Sequence, residues 1–178
     1  MNVCVFCGSS LGGNPIFRDA AHDLGAALAG AGVTLVYGGG NIGLMGVLAD
    51  AAMRHGGEVI GVIPDFLMRR EVGHGGISRL EVVDSMHSRK RRMAELSDAF
   101  VAMPGGWGTL DELAEILTWN QLQLIVKPVF ILNSDNFFDH LLAQMRKMVD
   151  DGFLSAQNYS LIKTVHNSAD LLKWLCPQ

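Results

Sequence analysis

The sequence predicts an α/β protein with a Rossmann-like, doubly wound parallel sheet in a three-layer α/β/α arrangement. Short apolar runs alternate with segments of helical periodicity, and strands separated by helices imply a parallel sheet covered on both faces. The length of 178 residues fits one domain spanning residues 1–178, with ample material for a core. A content of 49% hydrophobic against 18% charged residues, with 21 glycines, favours a compact chain with many tight turns.

Taken in order, Val3 to Cys7 reads as the first strand and Ile16 to Ala29 as a helix closed by Gly30 and Gly32. Val33 to Tyr37 is a second strand, running into the glycine loop Gly38 to Gly43 and a helix that reaches about His55. Val59 to Ile63 is a third strand, stopped by Pro64, after which Asp65 to Gly76 reads as a polar, glycine-punctuated loop with the makings of a mobile flap. Leu80 to Val83 is a short strand, Met86 to Leu96 a helix and Ala99 to Met103 a strand. Leu110 to Leu124 is helical, Val129 to Leu132 is a strand after Pro128, and Phe137 to Val149 is helical. The tail offers a strand at Leu161 to Val165, then Asn167-Ser168-Ala169-Asp170 as the start of a helix over Leu171 to Leu175.

Several function classes fall away. A formal charge of −4 argues against general nucleic-acid binding, which calls for a basic surface, so the basic run Arg89 to Arg92 is a local feature. No apolar stretch approaches the ~20 residues of a membrane span. Met1 to Cys7 lacks a charged n-region and a long apolar h-region, and the expectation is a cytoplasmic protein. Three cysteines do not suggest a disulfide framework. Cys4 and Cys7 spell C-x-x-C, but an offset of three along a strand sends their side chains to opposite faces, which favours buried thiols over a redox pair.

The most informative stretch is Pro104-Gly105-Gly106-Trp107-Gly108-Thr109-Leu110-Asp111-Glu112. Glycines let backbone N–H groups approach a ligand, and the free N–H groups and positive dipole end of the following helix attract an anion such as phosphate. Glu112 beside such an anion requires a cation nearby, and the segment Ser85 to Arg92 offers it. In open parallel sheets ligands bind outside the carboxyl ends of the strands. The loops after Tyr37, Ile63, Val83 and Met103 therefore gather Gly38 to Gly43, Glu71, Arg89, Lys90 and Gly105 to Glu112 into one crevice.

Each element also has a plainer reading. Gly38-x-Gly40-x-x-Gly43 after a strand spells a dinucleotide fingerprint, with Asp65 as the ribose-binding acid, or simply a turn that needs glycine. Thr109-x-x-Glu112 is also a capping box. Asp111 and Glu115 suit a helix first turn, and Arg91 and Arg92 suit solvated or ion-paired positions. His87 is a base or a surface histidine; Trp107 is exposed by its loop or stacks on a base. The nine methionines, Met45, Met86, Met93 and Met103 among them, are chiefly core filler, or in part the lining of a flexible apolar pocket.

The combination of Gly38-Gly39-Gly40-x-x-Gly43-Leu44-Met45-Gly46, Met86-His87-x-Arg89-Lys90 and Pro104-Gly105-Gly106-x-Gly108-Thr109-x-x-Glu112 resembles the LOG (Lonely Guy) family of cytokinin-activating phosphoribohydrolases. The similarity continues through Thr118-Trp119-x-Gln121-Leu122 and Lys127-Pro128-Val129. The resemblance implies hydrolysis of the N-glycosidic bond of a purine nucleoside 5′-monophosphate, an N6-prenylated AMP or AMP itself, to free base and ribose 5-phosphate. It also implies a Rossmann-like homodimer; many members were formerly labelled lysine decarboxylases. Carried across, Arg89 and Glu112 match the catalytic pair, while Glu71, Lys90, Gly106, Trp107, Gly108, Thr109, Leu110, Asp111 and Thr118 match substrate-binding positions. Gly38, Gly39, Gly40 and Gly43 are phosphate-loop candidates. Trp107 departs from the smaller aromatic the family often carries, which bears on pocket shape.

The chemistry suits these residues. Breaking a ribosyl C–N bond passes through a cation-like sugar, so a carboxylate near the anomeric carbon can stabilise positive charge or activate water. An arginine can hold phosphate or ribose oxygens and favour the ionised carboxylate. No metal or cofactor is expected. A non-catalytic nucleotide-binding or carrier module is the alternative, since the same loops serve binding alone.

Overall fold

The computed structural model describes residues 1–71 and 73–176, the side chains of 69–71 excepted. Its strands are β1 (Asn2–Phe6), β2 (Thr34–Tyr37), β3 (Val59–Pro64), β4 (Arg79–Val83), β5 (Ala99–Ala102), β6 (Val129–Leu132) and β7 (Ile162–Val165). All pair in parallel, forming one seven-stranded sheet in the order β4-β3-β2-β1-β5-β6-β7. The chain walks outward from β1 to β4, returns to lay β5 against the other side of β1, and walks outward again. The gap between the ends of β1 and β5 is thus the point where winding reverses, the place where such sheets open a crevice.

The helices are α1 (Pro15–Gly30), α2 (Gly43–Arg54), α3 (Asp65–Glu71), α4 (Met86–Leu96), α5 (Trp107–Gln121), α6 (Asp139–Asp150), α7 (Ala156–Tyr159) and α8 (Ser168–Leu175). Strand alternation divides the core into two layers. Val3, Val5 and Cys7 pack with Leu24, Leu48 and Leu171 from α1, α2 and α8. Cys4 and Phe6 point the other way, onto Met93, Leu113 and Ile116 from α4 and α5. The sheet separates the two cysteines as the spacing predicts, and both are buried free thiols.

Several elements differ from the sequence reading. The first half of the segment read as a loop after Pro64 is α3: Asp65 sits in a helical first turn, where a carboxylate favours the dipole, and the glycines that suggested a loop begin only at Gly73. Gly73 bridges to Gly40, and the His74 N–H donates to the Gly39 carbonyl at 3.0 Å, so the end of the segment is fastened to the first glycine loop. The helix read from Leu110 opens at Trp107, and it stops at Gln121 because Gln123 turns into the left-handed region at φ 58°. The short helix α7 lies between α6 and β7, in a stretch too short to show a period.

Candidate active site

The loops at the carboxyl ends of β1, β2 and β5 surround a cavity of ≈160 Å³. Cys7, Gly8 and Ser9 line it after β1, Gly38 after β2, and Gly106, Trp107, Gly108, Thr109 and Glu112 from the start of α5; Arg89 of α4 closes another side. Arg89 and Glu112, far apart in sequence, therefore share one small cavity at the winding reversal.

Arg89 is only 6% exposed. Its Nε–H donates to the Val62 carbonyl inside β3 at 3.1 Å and its Nη2–H to the Gly38 carbonyl just past β2 at 2.9 Å. Those bonds offset part of the desolvation cost of a buried charge and fix the guanidinium plane. Nη1 also lies 3.8 Å from the Met86 sulfur, a weak acceptor, and the other donors of Nη1 and Nη2 are those left for further acceptors.

Glu112 is 8% exposed, one turn inside α5. Its charge is felt across the cavity floor: burial pushes the Cys7 thiol well above its ordinary pKa, Glu112 raises it further, and Arg89 pulls in the opposite direction. The capping-box reading of Thr109 and Glu112 does not hold. Gly106 is the N-cap, with no side-chain hydrogen bond at that cap, so Thr109 lies within the helix, buried at 3% exposure. The N-terminus of α5 thus presents backbone N–H groups and its dipole to the cavity. Gly105 permits this approach, because a Cβ there would collide with the Thr109 hydroxyl and come within 2.9 Å of the Gly8 nitrogen. The Gly8 N–H in turn donates to Pro104 O at 3.1 Å, tying the two loops together.

The other glycine loop behaves differently. The Gly8 carbonyl accepts from the N–H groups of Leu44 at 3.0 Å and Met45 at 3.3 Å, so the N-terminus of α2 is closed by the protein itself. A dinucleotide fingerprint needs that helix end for its pyrophosphate. Of the phosphate-loop candidates, Gly38 lines the cavity, whereas Gly39 and Gly40 are engaged with His74 and Gly73 and Gly43 opens α2.

Not every candidate converges here. Lys90 is turned toward α5 and bonded to Asp111 at 3.0 Å and Glu115 at 3.2 Å. Leu110 and Thr118 line a separate apolar groove between α5 and α6, and the Thr118 hydroxyl donates to Ala114 O at 2.8 Å. The Glu71 side chain lies outside the described residues. His87 is exposed on α4, while Arg91 and Arg92 pair with Glu95 and Glu81. Trp107 stands at the rim, 88% exposed. Cys7, Gly8 and Ser9 also line the cavity, although no motif in the sequence marks them, and Met45 is a methionine that lines it. The signal for them is topological: the loop after β1 occupies the same sheet edge as the loops after β2 and β5.

The family model described as "Possible lysine decarboxylase" matches residues 45–175. A rice protein named probable cytokinin riboside 5′-monophosphate phosphoribohydrolase LOGL9 is 49% identical over 170 residues, covering 96% of this chain and 75% of that protein. The chain belongs to the LOG family. Arabidopsis thaliana LOG1, named cytokinin riboside 5′-monophosphate phosphoribohydrolase, is 45% identical over 97% of this chain and 81% of its own length. The fold extends beyond the LOG family. The molybdenum cofactor binding protein of Rippkaea orientalis superposes with a TM-score of 0.73 at 23% identity, covering 98% of this chain and 94% of that one. The LOG family model starts at residue 45, so the β1 loop that lines the cavity precedes the matched span. No helix among the described residues is long and apolar enough to cross a membrane.

Proposed function

We propose that the chain hydrolyses the N-glycosidic bond of a purine nucleoside 5′-monophosphate, N6-prenyl-AMP or AMP, to free base and ribose 5-phosphate, the cytokinin-activating reaction named for its relatives. The observation that carries this reading is the shared cavity, in which a buried guanidinium and a buried carboxylate meet the open N-terminus of α5. The helix end, with Thr109, takes the 5′-phosphate; Glu112 stabilises the cation-like sugar or takes a proton from the attacking water; Arg89 directs its remaining donors to phosphoribosyl oxygens. As the C1′–N bond breaks its electron pair leaves with the base, water oxygen bonds to C1′, and the base gains a proton. Gripping the phosphate supplies binding energy that orients the bond being cleaved.

A lysine decarboxylase, as the family description suggests, ordinarily needs a cofactor held as a Schiff base by a protein lysine. No lysine lines this cavity among the described residues; the Lys90 ammonium is held by two carboxylates and that of Lys127 by Ala94 O at 2.9 Å. The same reading makes the chain a single-domain cytoplasmic enzyme that works as a homodimer, which sedimentation tests directly.

Incubation with AMP, N6-prenyl-AMP and the matching unphosphorylated nucleosides, followed by chromatography for released base, tests the proposal. Base is expected from the monophosphates. Equal release from the nucleosides contradicts the phosphate grip, and no release from any of the four contradicts the activity.

A further inference from the structure

We propose that Ser9, in the loop after β1, binds substrate: its hydroxyl donates to the 5′-phosphate and makes that loop the second jaw of the phosphate site. The proposal rests on the reading of the α5 N-terminus as the phosphate grip. It adds to that grip a contact from a stretch that precedes the residues the family model matches.

The loop is fastened by the residue before Ser9. The Gly8 N–H donates to Pro104 O at 3.1 Å, and the Gly8 carbonyl accepts from the N–H groups of Leu44 at 3.0 Å and Met45 at 3.3 Å. Both polar backbone groups of Gly8 are thus spent on the β5 loop and the first turn of α2, and Ser9 is carried to the cavity wall. Gly43 holds it there: it adopts φ 63°, and a Cβ on it would collide with the backbone of Ser9 and Ser10. On the other side, the Gly8 nitrogen and the Thr109 hydroxyl crowd the same point, where a Cβ of Gly105 would stand, so the β1 loop and the first turn of α5 lie side by side.

An exposed serine is ordinary in itself, and what sets Ser9 apart is the state of its hydroxyl in this place. The Ser10 hydroxyl accepts from the Gly12 N–H at 3.3 Å and serves the loop itself. The Ser9 hydroxyl has no hydrogen-bond partner among the described residues, and Ser9 lines the reactive cavity. Thr109, only 3% exposed, lines the same cavity with its hydroxyl equally uncommitted among the described residues. A buried hydroxyl left without an acceptor is costly, so Thr109 in particular calls for a ligand oxygen. Two hydroxyls from different loops therefore stand beside the N–H groups of the α5 N-terminus, and a phosphate, with several acceptor oxygens and a negative charge, satisfies all of them together. The cavity on the far side of Ser9, ≈320 Å³, is walled by Leu11, Phe17, Leu44 and Phe137. An apolar chamber offers an anion nothing, so the reactive cavity is the side on which the hydroxyl meets its acceptor.

The test is steady-state hydrolysis of AMP and adenosine by the whole protein, with ribose 5-phosphate and inorganic phosphate as competing inhibitors. Ser9→Ala, Ser9→Asp, Ser9→Thr and Ser10→Ala are compared with the parent, with a thermal melt of each. In Ser9→Ala the KM for AMP and the Ki of both inhibitors are expected to rise together by about 10- to 100-fold, with any residual reaction on adenosine unchanged. Ser9→Asp, which sets a negative charge against the phosphate, should lose more for AMP and nothing for adenosine. Ser9→Thr, which keeps the hydroxyl, and Ser10→Ala should stay close to the parent. Three results overturn the proposal: an unchanged KM in Ser9→Ala, an equal loss for AMP and adenosine, or a raised Ki for ribose 5-phosphate with that of inorganic phosphate unmoved, which would put the hydroxyl on the sugar. Should Ser9→Ala fail to fold, Ser9→Asp and Ser9→Thr carry the same distinction. A parent that cleaves adenosine as readily as AMP defeats the phosphate grip itself, whereas a parent that requires the phosphate, with Ser9→Ala unaltered, defeats the role of Ser9 alone.

Discussion

The Nη2 of Arg89 donates to the Gly38 carbonyl at 2.9 Å, and a Cβ on Gly38 would collide with that same nitrogen. The first glycine loop therefore serves the site by leaving room for a buried guanidinium. Gly38→Ala is expected to push Arg89 off its two carbonyl acceptors and lower kcat/KM by about 100-fold, while circular dichroism stays that of the native fold. Retained activity in Gly38→Ala would show that the placement of Arg89 is not critical.

Glu112 is the acid buried in the cavity, and its substitution separates catalysis from binding. Glu112→Gln keeps the shape and removes the charge. It should lower kcat by about 100- to 10,000-fold while nucleotide affinity, measured by calorimetry, changes little. A carrier that only binds nucleotide would show no turnover in the parent either, so the parent rate and the variant rate together decide between enzyme and carrier.

Thr109 is buried at the start of α5 and lines the cavity. A hydroxyl donating to a phosphate oxygen is a hydrogen bond to a charged group, worth about 1.5–3 kcal/mol. Thr109→Val, nearly equal in size, is expected to raise KM for AMP by about 10- to 100-fold and to leave any residual reaction with adenosine unchanged. Thr109→Ser should stay close to the parent. An equal loss for AMP and adenosine would move the phosphate away from this helix end.

How much of this was legible in the sequence depends on how local each feature is. The order of strands and helices follows from periodicity, and the split of Cys4 from Cys7 follows from strand alternation, both properties of neighbouring residues. The Gly105 to Glu112 segment carries its own meaning because glycines, helix start and acid are contiguous. The helix at Asp65–Glu71 was hidden because its few apolar residues, Phe66, Leu67 and Met68, are too short a run to show a period. The closure of α2 by the Gly8 carbonyl and the embrace of Lys90 by Asp111 and Glu115 need segments distant in sequence to dock. Residue types at Lys90 and Gly43 invite a ligand role, and only the packing reveals that other protein groups occupy them first.

Tyr37 carries the last prediction. It is fully buried at the end of β2, and its hydroxyl has no hydrogen-bond partner among the described residues. An unpaired buried hydroxyl costs about 1–3 kcal/mol, so Tyr37→Phe should leave stability unchanged or raise it by about 1 kcal/mol in a denaturant titration. Burial, chiefly, with the negative charge of Asp50 adding to it, pushes the Tyr37 pKa above its ordinary value. At alkaline pH the unfolded chain therefore loses the phenolic proton while the folded chain retains it. With fewer protons bound in the unfolded state, stability is intact below the unfolded pKa of about 10 and declines as pH rises toward the folded value. Tyr37→Phe removes this contribution, so its stability should fall less steeply than the parent's above about pH 10. The buried thiols of Cys4 and Cys7, whose pKa values burial also raises, leave a residual slope in both proteins. A loss of stability at neutral pH in Tyr37→Phe would mean that the hydroxyl has a partner in solution, and parallel alkaline slopes would mean that the phenol is free to ionise in the native state.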